Sequence, residues 1–450
     1  MDVFVIEGGS RLEGTIRVQG AKNAALPLMA ATLLGDGEVE LLDVPALADI
    51  ASMARLLEEL GCAITTERDR TTIRVQDPGN SHARYDIVRT MRASISVLGP
   101  LLARRGWARV SMPGGCTIGD RPVDLHLRGL EALGATIELD GGDIVARAPR
   151  GGLRGARIFL GGAFGSTVLG TANVMCAATL ARGQTIIESA ACEPEIVDLA
   201  RLLGAMGAKI SGAGSPRVIV EGVEALGGCR HRVLPDRIEA GTLMCAAAIT
   251  HGDITLENCP LDAMLALWDT FARIGIRVEV LDETDPLRAR CRVTRENVLC
   301  PVQVTTQPHP GFPTDLQAQL MALLCLVDGN SIVTEKIFSE RFMHVPELSR
   351  MGASLHRAGA SVVVSGVGQL RGAPVMASDL RASAGLVIAG LAASGTTIVN
   401  RVYHLDRGYE GLDRRLSALG GRVERIDEKK LGSPPTIAVM PASRRLASAS

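Results

Sequence analysis

Two kinds of hydrophobic run alternate along the chain. One kind is apolar almost all round: Ala24–Gly35, Ala93–Gly106, Thr171–Gly183, Ala240–Gly252, Leu316–Gly329 and Ala382–Gly395 are rich in small and branched apolar residues, carry few charges, and close on a small turn. A helix that is hydrophobic on every side is a buried one. The other kind is amphipathic and closes on Leu-Gly-Cys62, Leu-Gly-Ala135, Met-Gly-Ala208, Ile-Gly-Ile276, Met-Gly-Ala353 and Leu-Gly-Gly421. Glycine is the residue expected just past a helix C-terminus. The six central glycines (Gly61, Gly134, Gly207, Gly275, Gly352 and Gly420) recur roughly every 70 residues, too long a period for a solenoid unit but a clear internal repeat. Short strands follow the apolar runs, among them Glu38–Leu42, Gln184–Glu188, Asp253–Glu257 and Thr396–Asn400. The pattern predicts an α/β protein of six repeats, each with two helices and several strands. The apolar helices lie inside, with the sheets and amphipathic helices around them.

Composition narrows the class. A chain of 450 residues is long enough for two or three domains, and 46% hydrophobic with 22% charged residues is globular. Aromatics make up only 3%, so the core must be built from aliphatic side chains. A formal net charge of −1 argues against a nucleic-acid or anionic-membrane partner. No apolar run reaches the ~18 residues a membrane span needs. The first residues, Met-Asp-Val-Phe-Val-Ile-Glu, lack the basic start of a signal peptide and read as a strand. Ten cysteines without a C-x-x-C pair, many of them in apolar runs, point to reduced, buried thiols in a cytoplasmic protein, and no cluster has metal-ligand spacing. Only five of the 48 basic residues are lysines, and one of these is Lys22.

Chemistry is concentrated where the apolar helices begin. Their starts carry, in order, Lys22, Arg92, the stretch Gly165-Ser-Thr167, Arg237, Asp315 and Arg381. A cation is disfavoured there by the helix dipole, yet a helix N-terminus with an added cation makes a good anion site. An exposed arginine paired with a neighbouring aspartate, as Asp236 or Asp379 would allow, is the plain alternative for any one helix. The repetition favours convergence on a polyanion. Asp315 breaks the cationic pattern and reads either as a base amid cations, with its pKa lowered by them, or as a helix N-cap. After the second apolar run lies the Gly-rich loop Ser111–His126, with Cys116 and Arg121. It is either a surface turn with an inert thiol or a binding loop.

The motifs Gly20-Ala-Lys-Asn-Ala24, Thr90-Met-Arg-Ala-Ser94, Pro113-Gly-Gly-Cys-Thr-Ile-Gly-Asp-Arg-Pro-Val-Asp-Leu-His126 and Leu234-Pro-Asp-Arg-Ile-Glu239 occur in that order. They are followed by Pro308-His-Pro-Gly-Phe-Pro-Thr-Asp315, Arg341-Phe-Met-His-Val-Pro-Glu-Leu348, Asp379-Leu-Arg-Ala-Ser383 and Tyr403-His-Leu-Asp-Arg-Gly-Tyr409. In this the chain resembles the UDP-N-acetylglucosamine 1-carboxyvinyltransferases of the enolpyruvyl transferase family, from residue 1 to about 425. The resemblance implies a two-domain inside-out α/β barrel with an active-site cleft between the domains. One lobe would span 22–232 and the other 1–21 plus 233–425, with 426–450 as a partly disordered tail. It also implies transfer of enolpyruvate from phosphoenolpyruvate to the 3′-hydroxyl of UDP-N-acetylglucosamine by addition and elimination, with release of phosphate and no cofactor or metal.

Residue by residue, the resemblance implies that Lys22 contacts the phosphate and helps proton transfer. Arg121 and Arg407 would bind phosphoenolpyruvate, with Asn23, Arg92, Arg341 and Arg381 near it. Asp315 would be the base for the sugar hydroxyl. Cys116 would be a proton donor or an aid to product release, its pKa lowered by surrounding cations, and the point of attack by fosfomycin. Asn23 and Ile337 would contact the amino sugar. Arg121, Pro122, Val123, Asp124 and Leu125 would line the uridine side. Arg92, Gly165, Ser166 and Asp315 would complete the acceptor site. Asp49 and Asp379 are expected to orient the arginines, and His126 and His344 to be buried and satisfied. Two places depart from the family: the stretch Ala163–Thr171 is longer, and Ser96 stands where an aromatic is common. These departures motivate a rival reading, an enolpyruvyl transferase with another nucleotide acceptor. A catalytically silent sugar-nucleotide-binding protein is a rival of another class.

Overall fold

The computed structural model describes residues 1–67, 69–113, 123–163 and 165–430. Its helices are α1 (Lys22–Ala31), α2 (Ala48–Glu59), α3 (Tyr85–Val88), α4 (Leu98–Arg105), α5 (Asp124–Ala132), α6 (Val168–Ala178) and α7 (Pro194–Ala205). There follow α8 (Arg237–Ile249), α9 (Leu265–Ile274), α10 (Gln317–Leu324), α11 (Val345–Arg350), α12 (Leu380–Ala392) and α13 (Leu412–Ala418). The apolar runs became α1, α4, α6, α8, α10 and α12. In α8 and α12 nearly every residue is buried, whereas α2 buries only the stripe Asp49, Ile50, Met53, Leu56 and Leu57. The six predicted capping glycines all hold left-handed backbone, with φ between 88° and 111°. An L side chain resists that conformation, which is why glycine recurs there.

The described strands form six four-stranded sheets of one recurring plan. In each, an edge strand runs parallel to its neighbour and the other two pairings are antiparallel. Thus Arg157–Phe159 lies parallel to Gln184–Glu188, which pairs antiparallel with Arg217–Glu221, and that strand pairs with Lys209–Ser211. The strand Asp2–Glu7 sits between Thr396–Asn400 and Arg422–Asp427, so the first residues complete the last repeat. Glu13–Arg17 likewise runs beside Asp253–Cys259, and Cys229–Arg232 beside Val39–Leu42. The sequence placed the tail boundary at 426. The last strand runs on to Asp427 and a 3-10 turn covers Glu428–Lys430, while 431–450 lie outside the described residues.

Two separate cores result. One gathers buried residues from Ala21 to Leu234 around α1, α4 and α6. The other takes Phe4–Val18 together with Ile238–Val423 around α8, α10 and α12. With so few aromatics, tight contact between helices replaces bulk. A methyl group on Gly99 of α4 would lie 2.3 Å from the Asn173 carbonyl oxygen of α6, and one on Gly385 of α12 would lie 2.8 Å from that of Ala318 in α10. The whole is the two-lobe inside-out α/β barrel. Two chain crossings join the lobes side by side: Ala21 N donates to Leu234 O at 2.7 Å and Asp236 N to Gln19 O at 2.8 Å. No described helix is long and apolar enough to cross a membrane.

Candidate active site

The two crossings deliver the starts of α1 and α8 to the same place, where side chains from both lobes meet. Lys22, the first residue of α1, is buried, and its Nζ donates to Asp49 Oδ2 at 3.0 Å. Asp49 lies in the first turn of α2 and is itself buried. Its other oxygen accepts from Arg407 Nε at 2.9 Å, across the lobe boundary. Arg407 ends the 3-10 turn Val402–Arg407 of the second lobe. Burial lowers the Lys22 pKa below its ordinary value. Asp49 opposes that fall, and the charges of Arg381 and Arg407 add to it. Lys22 therefore sits in a field already crowded with cations, the environment in which an added anion is most favoured.

Beside this group lies a second one, wholly from the second lobe. The Asp315 carboxylate is held by Arg341 Nη1 at 2.8 Å on one oxygen and by Arg381 Nη2 at 3.2 Å on the other. Asp315 belongs to the 3-10 turn Thr314–Leu316, whose N-cap is Pro313, and no side chain caps it. Of the two readings of Asp315, the N-cap is set aside by this geometry: its oxygens are turned to guanidinium groups. Asp379 and Asp236, by contrast, are the caps. Asp379 accepts from the backbone N of Arg381 and Ala382, and Asp236 from Ile238 and Glu239. Arg381 and Arg237 are accordingly not exposed arginines paired with their neighbouring aspartates; both are largely buried. Arg237 pairs with Glu195 of α7, at 3.2 Å and across the lobe boundary. Burial works against the Arg381 charge, but Tyr409, Asp315 and Asp236 more than offset it and raise its pKa. Its guanidinium lies 5.3 Å from the centre of the Tyr409 ring. The Tyr409 hydroxyl is in turn within 2.9 Å of Thr242 and accepts from Gln319 at 3.0 Å.

The remaining expected residues fall around these two groups. Asn23 is exposed in the first turn of α1. Arg92 opens the 3-10 turn Arg92–Val97, and its charge bears on His126. Val123 is the buried N-cap position of α5, Asp124 is exposed and Leu125 half-buried. Gly162 N donates to Gly165 O at 2.8 Å, forming a turn against Leu125, and Ser166 follows half-buried. Gly165, at φ 97°, faces Pro308 of the second lobe. Ile337 is half-buried, with its backbone N bound to Glu335. Cys116, Arg121 and Pro122 lie outside the described residues. Among the described residues no three His, Cys, Asp or Glu side chains gather to hold a metal ion.

His126 and His344 are both buried, and burial brings each pKa down to about 4, so both are neutral at pH 7. His126 Nδ1 is 2.8 Å from Asn173 Nδ2 and is satisfied, as expected. His344 departs from expectation, because its Nε2 is buried without a hydrogen-bond partner. Of the nine described cysteines, six are buried; burial pushes Cys62 to about 11 and both Cys176 and Cys325 to about 12, which makes them unreactive thiols. Sequence reasoning missed Glu195 and Tyr409, whose partners lie far away in the chain, and Glu335, which joins its own loop to Thr306 and Thr314. An acidic residue buried at the end of a strand has no local signature.

A family model described as EPSP synthase (3-phosphoshikimate 1-carboxyvinyltransferase) matches residues 6–416. A Rhodospirillum centenum protein named UDP-N-acetylglucosamine 1-carboxyvinyltransferase is 52% identical over 446 residues, covering 95% of this chain and 100% of its own. A protein of the same name from Gluconacetobacter diazotrophicus is 54% identical, again over 95% of this chain and 100% of its own. Among solved structures, the enolpyruvyl transferase NikO from Streptomyces tendae superposes with a TM-score of 0.84 over 94% of this chain and 98% of its own, at 23% identity. EPSP synthase from Acinetobacter baumannii gives a TM-score of 0.74 over 95% and 100%, at 17% identity. At such identities the superpositions speak for the fold alone.

Proposed function

The chain belongs to the enolpyruvyl transferase family, in its UDP-N-acetylglucosamine 1-carboxyvinyltransferase branch, and from this we propose that it moves enolpyruvate from phosphoenolpyruvate to the 3′-hydroxyl of UDP-N-acetylglucosamine and releases phosphate. We place this reaction in the cytoplasm, at the first committed step of peptidoglycan precursor synthesis, with fosfomycin as a covalent inhibitor. The lobe boundaries proposed with it are 22–232 against 1–21 plus 233–425, with the cleft between them as the site.

The observation that carries the reading is the meeting of Lys22, Arg407, Arg381 and Arg341 around the carboxylates Asp49 and Asp315. Phosphoenolpyruvate brings a phosphate and a carboxylate, and guanidinium groups bind such planar and tetrahedral anions in a bidentate way. In the addition step, C3 of the enol takes a proton as the sugar oxygen attacks C2. The tetrahedral adduct then loses phosphate together with a proton from C3, which restores the double bond. Lys22 suits the role of phosphate contact and proton carrier, because burial and its cationic neighbours ease loss of its proton. Asp315 suits the role of base for the hydroxyl. Held on both oxygens by arginines, it is fixed in place before the acceptor arrives. Arg121 and Arg92 would extend the anion cradle, and Cys116 would serve as proton donor or in product release. Asn23, Ile337, Val123–Leu125, Pro122, Gly165 and Ser166 would hold the acceptor.

The test is phosphate release from phosphoenolpyruvate and UDP-N-acetylglucosamine, with and without fosfomycin. Turnover that fosfomycin abolishes, that disappears in Cys116→Ala and that resists the drug in Cys116→Asp supports the reading. Phosphate release only with UMP or another nucleotide moves the chain to a different acceptor and points to 163–171. Binding without turnover on any acceptor makes it a sugar-nucleotide-binding protein.

A further inference from the structure

Glu335 is fully buried, yet it is not part of any ion pair that joins the two groups described above. It stands directly after the strand Asn330–Thr334, which runs parallel to Gln303–Thr305. Both strands therefore end at the same edge, and Thr306 follows the second as Glu335 follows the first. Glu335 Oε1 accepts from Thr306 Oγ1 at 2.7 Å, from Ile337 N at 2.8 Å and from Phe338 N at 3.0 Å. Its Oε2 accepts from Thr314 Oγ1 at 2.8 Å. One carboxylate thus takes four hydrogen bonds from three segments of chain. Thr306 Oγ1 also accepts from Lys336 N at 2.9 Å, so three consecutive backbone N–H groups hang on this pair of side chains.

The second oxygen leads to the candidate base. A carboxylate can only accept, so the Thr314 hydroxyl must point its proton at Glu335. Its lone pairs are then turned the other way, and Arg341 Nη1 donates to them at 2.9 Å. The same Nη1 lies 2.8 Å from Asp315 Oδ1. The order of contacts is Glu335, Thr314, Arg341, Asp315. From one buried point the structure fixes the loop that carries Ile337 and the guanidinium that holds Asp315.

We propose that Glu335 is a positioning residue for acceptor binding and for the base: through Oε1 it sets the Ile337 loop, and through Oε2, Thr314 and Arg341 it sets Asp315. This rests on the transferase reading above. The two oxygens have separable tasks, so their partners can be removed one at a time. In steady-state assays of phosphate release by the full chain, Thr314→Val is expected to lower kcat by about tenfold with KM for UDP-N-acetylglucosamine within about twofold. Thr306→Val is expected to raise that KM by about tenfold with kcat within about twofold. Glu335→Gln should do both, and Glu335→Asp should recover neither, being one methylene too short to reach all three segments. Unchanged constants in Glu335→Gln would overturn the proposal, as would equal losses of kcat and KM in the two threonine variants. Hydrogen exchange of the unliganded protein supplies a readout independent of turnover. Faster exchange at 336–341 in Glu335→Gln, with α10 and α12 unaffected, supports the positioning role, while unchanged exchange there, or a rise throughout the lobe, overturns it. A wild-type chain silent with this acceptor defeats the transferase reading, and the exchange result then decides on Glu335.

Discussion

At the scale of single residues, the most informative position is Asp49. It stands between two cations that the chain separates by 358 positions in one case and 27 in the other. Asp49→Asn keeps the shape and removes the charge. Lys22 then loses the negative charge that raises its pKa, while burial, Arg381 and Arg407 still lower it. Its ammonium form consequently disappears at lower pH. If Lys22 must be protonated to hold phosphate, the alkaline fall of kcat/KM for phosphoenolpyruvate moves to lower pH in Asp49→Asn. At neutral pH kcat/KM should fall by roughly tenfold or more, equivalent to about 1.4 kcal/mol of lost transition-state binding. An alkaline limb in the same place as wild type would refute this link. Lys22 was legible in the sequence because a helix start is a local feature, and Arg407 through the family motif that contains it. The carboxylate that joins them was visible only as a plausible partner, since nothing in α2 announces Arg407.

At the scale of elements, the apolar helices and their glycine stops were legible for the same reason. All-round hydrophobicity and left-handed C-terminal glycine depend only on the residues of the helix and its end. The contact between helices was not legible. Gly385 lies in mid-helix, where glycine costs about 1 kcal/mol relative to alanine by propensity alone. In the fold it allows α12 to approach α10 until a methyl group would lie 2.8 Å from the Ala318 carbonyl oxygen. Gly385→Ala therefore gains the propensity but pays an overpacking cost of about 1–3 kcal/mol. We expect a net loss of about 1 kcal/mol or more in urea unfolding, with Gly352→Ala as a comparison whose strain is purely in the backbone. A stabilised Gly385→Ala would mean that the inner helices separate without cost. The Asp caps teach the converse lesson. Asp379 and Asp236 looked like partners for the arginine side chains, but the nearest donors to a cap are backbone N–H groups, and these win.

At the scale of the whole molecule, the paired crossings at Gln19–Ala21 and Leu234–Asp236 join two independent cores. Glu239 supports the first crossing: its Oε2 accepts from Gln19 N at 2.7 Å, and Arg415 Nη2 lies 3.1 Å from its other oxygen. Burial outweighs Arg415 and lifts its pKa from 4.5 to about 7. The folded protein thus keeps this proton between about 4.5 and 7 while the unfolded chain has released it. Stability linked to Glu239 is full below the lower value and is lost as pH rises through the upper one, by about 3 kcal/mol in all. Glu239→Gln cannot titrate. Its unfolding free energy relative to wild type should therefore rise by about 3 kcal/mol between pH 4.5 and 8, whatever its constant offset. A pH-independent difference would show that Glu239 titrates alike in both states.

The sequence by itself determined the six repeats, the buried and amphipathic helices, the glycine stops and the cations at the helix starts, because each of these is written in a short span of chain. Its ordered motifs also identified the family. Only the tertiary structure decided that the first strand completes the last repeat, that Asp49 ties Lys22 to Arg407, that Asp315 faces two guanidinium groups instead of capping its helix, and that Glu335 gathers three segments on one carboxylate. Each of those depends on which donors the fold brings to a buried oxygen, and burial makes an oxygen without a partner costly.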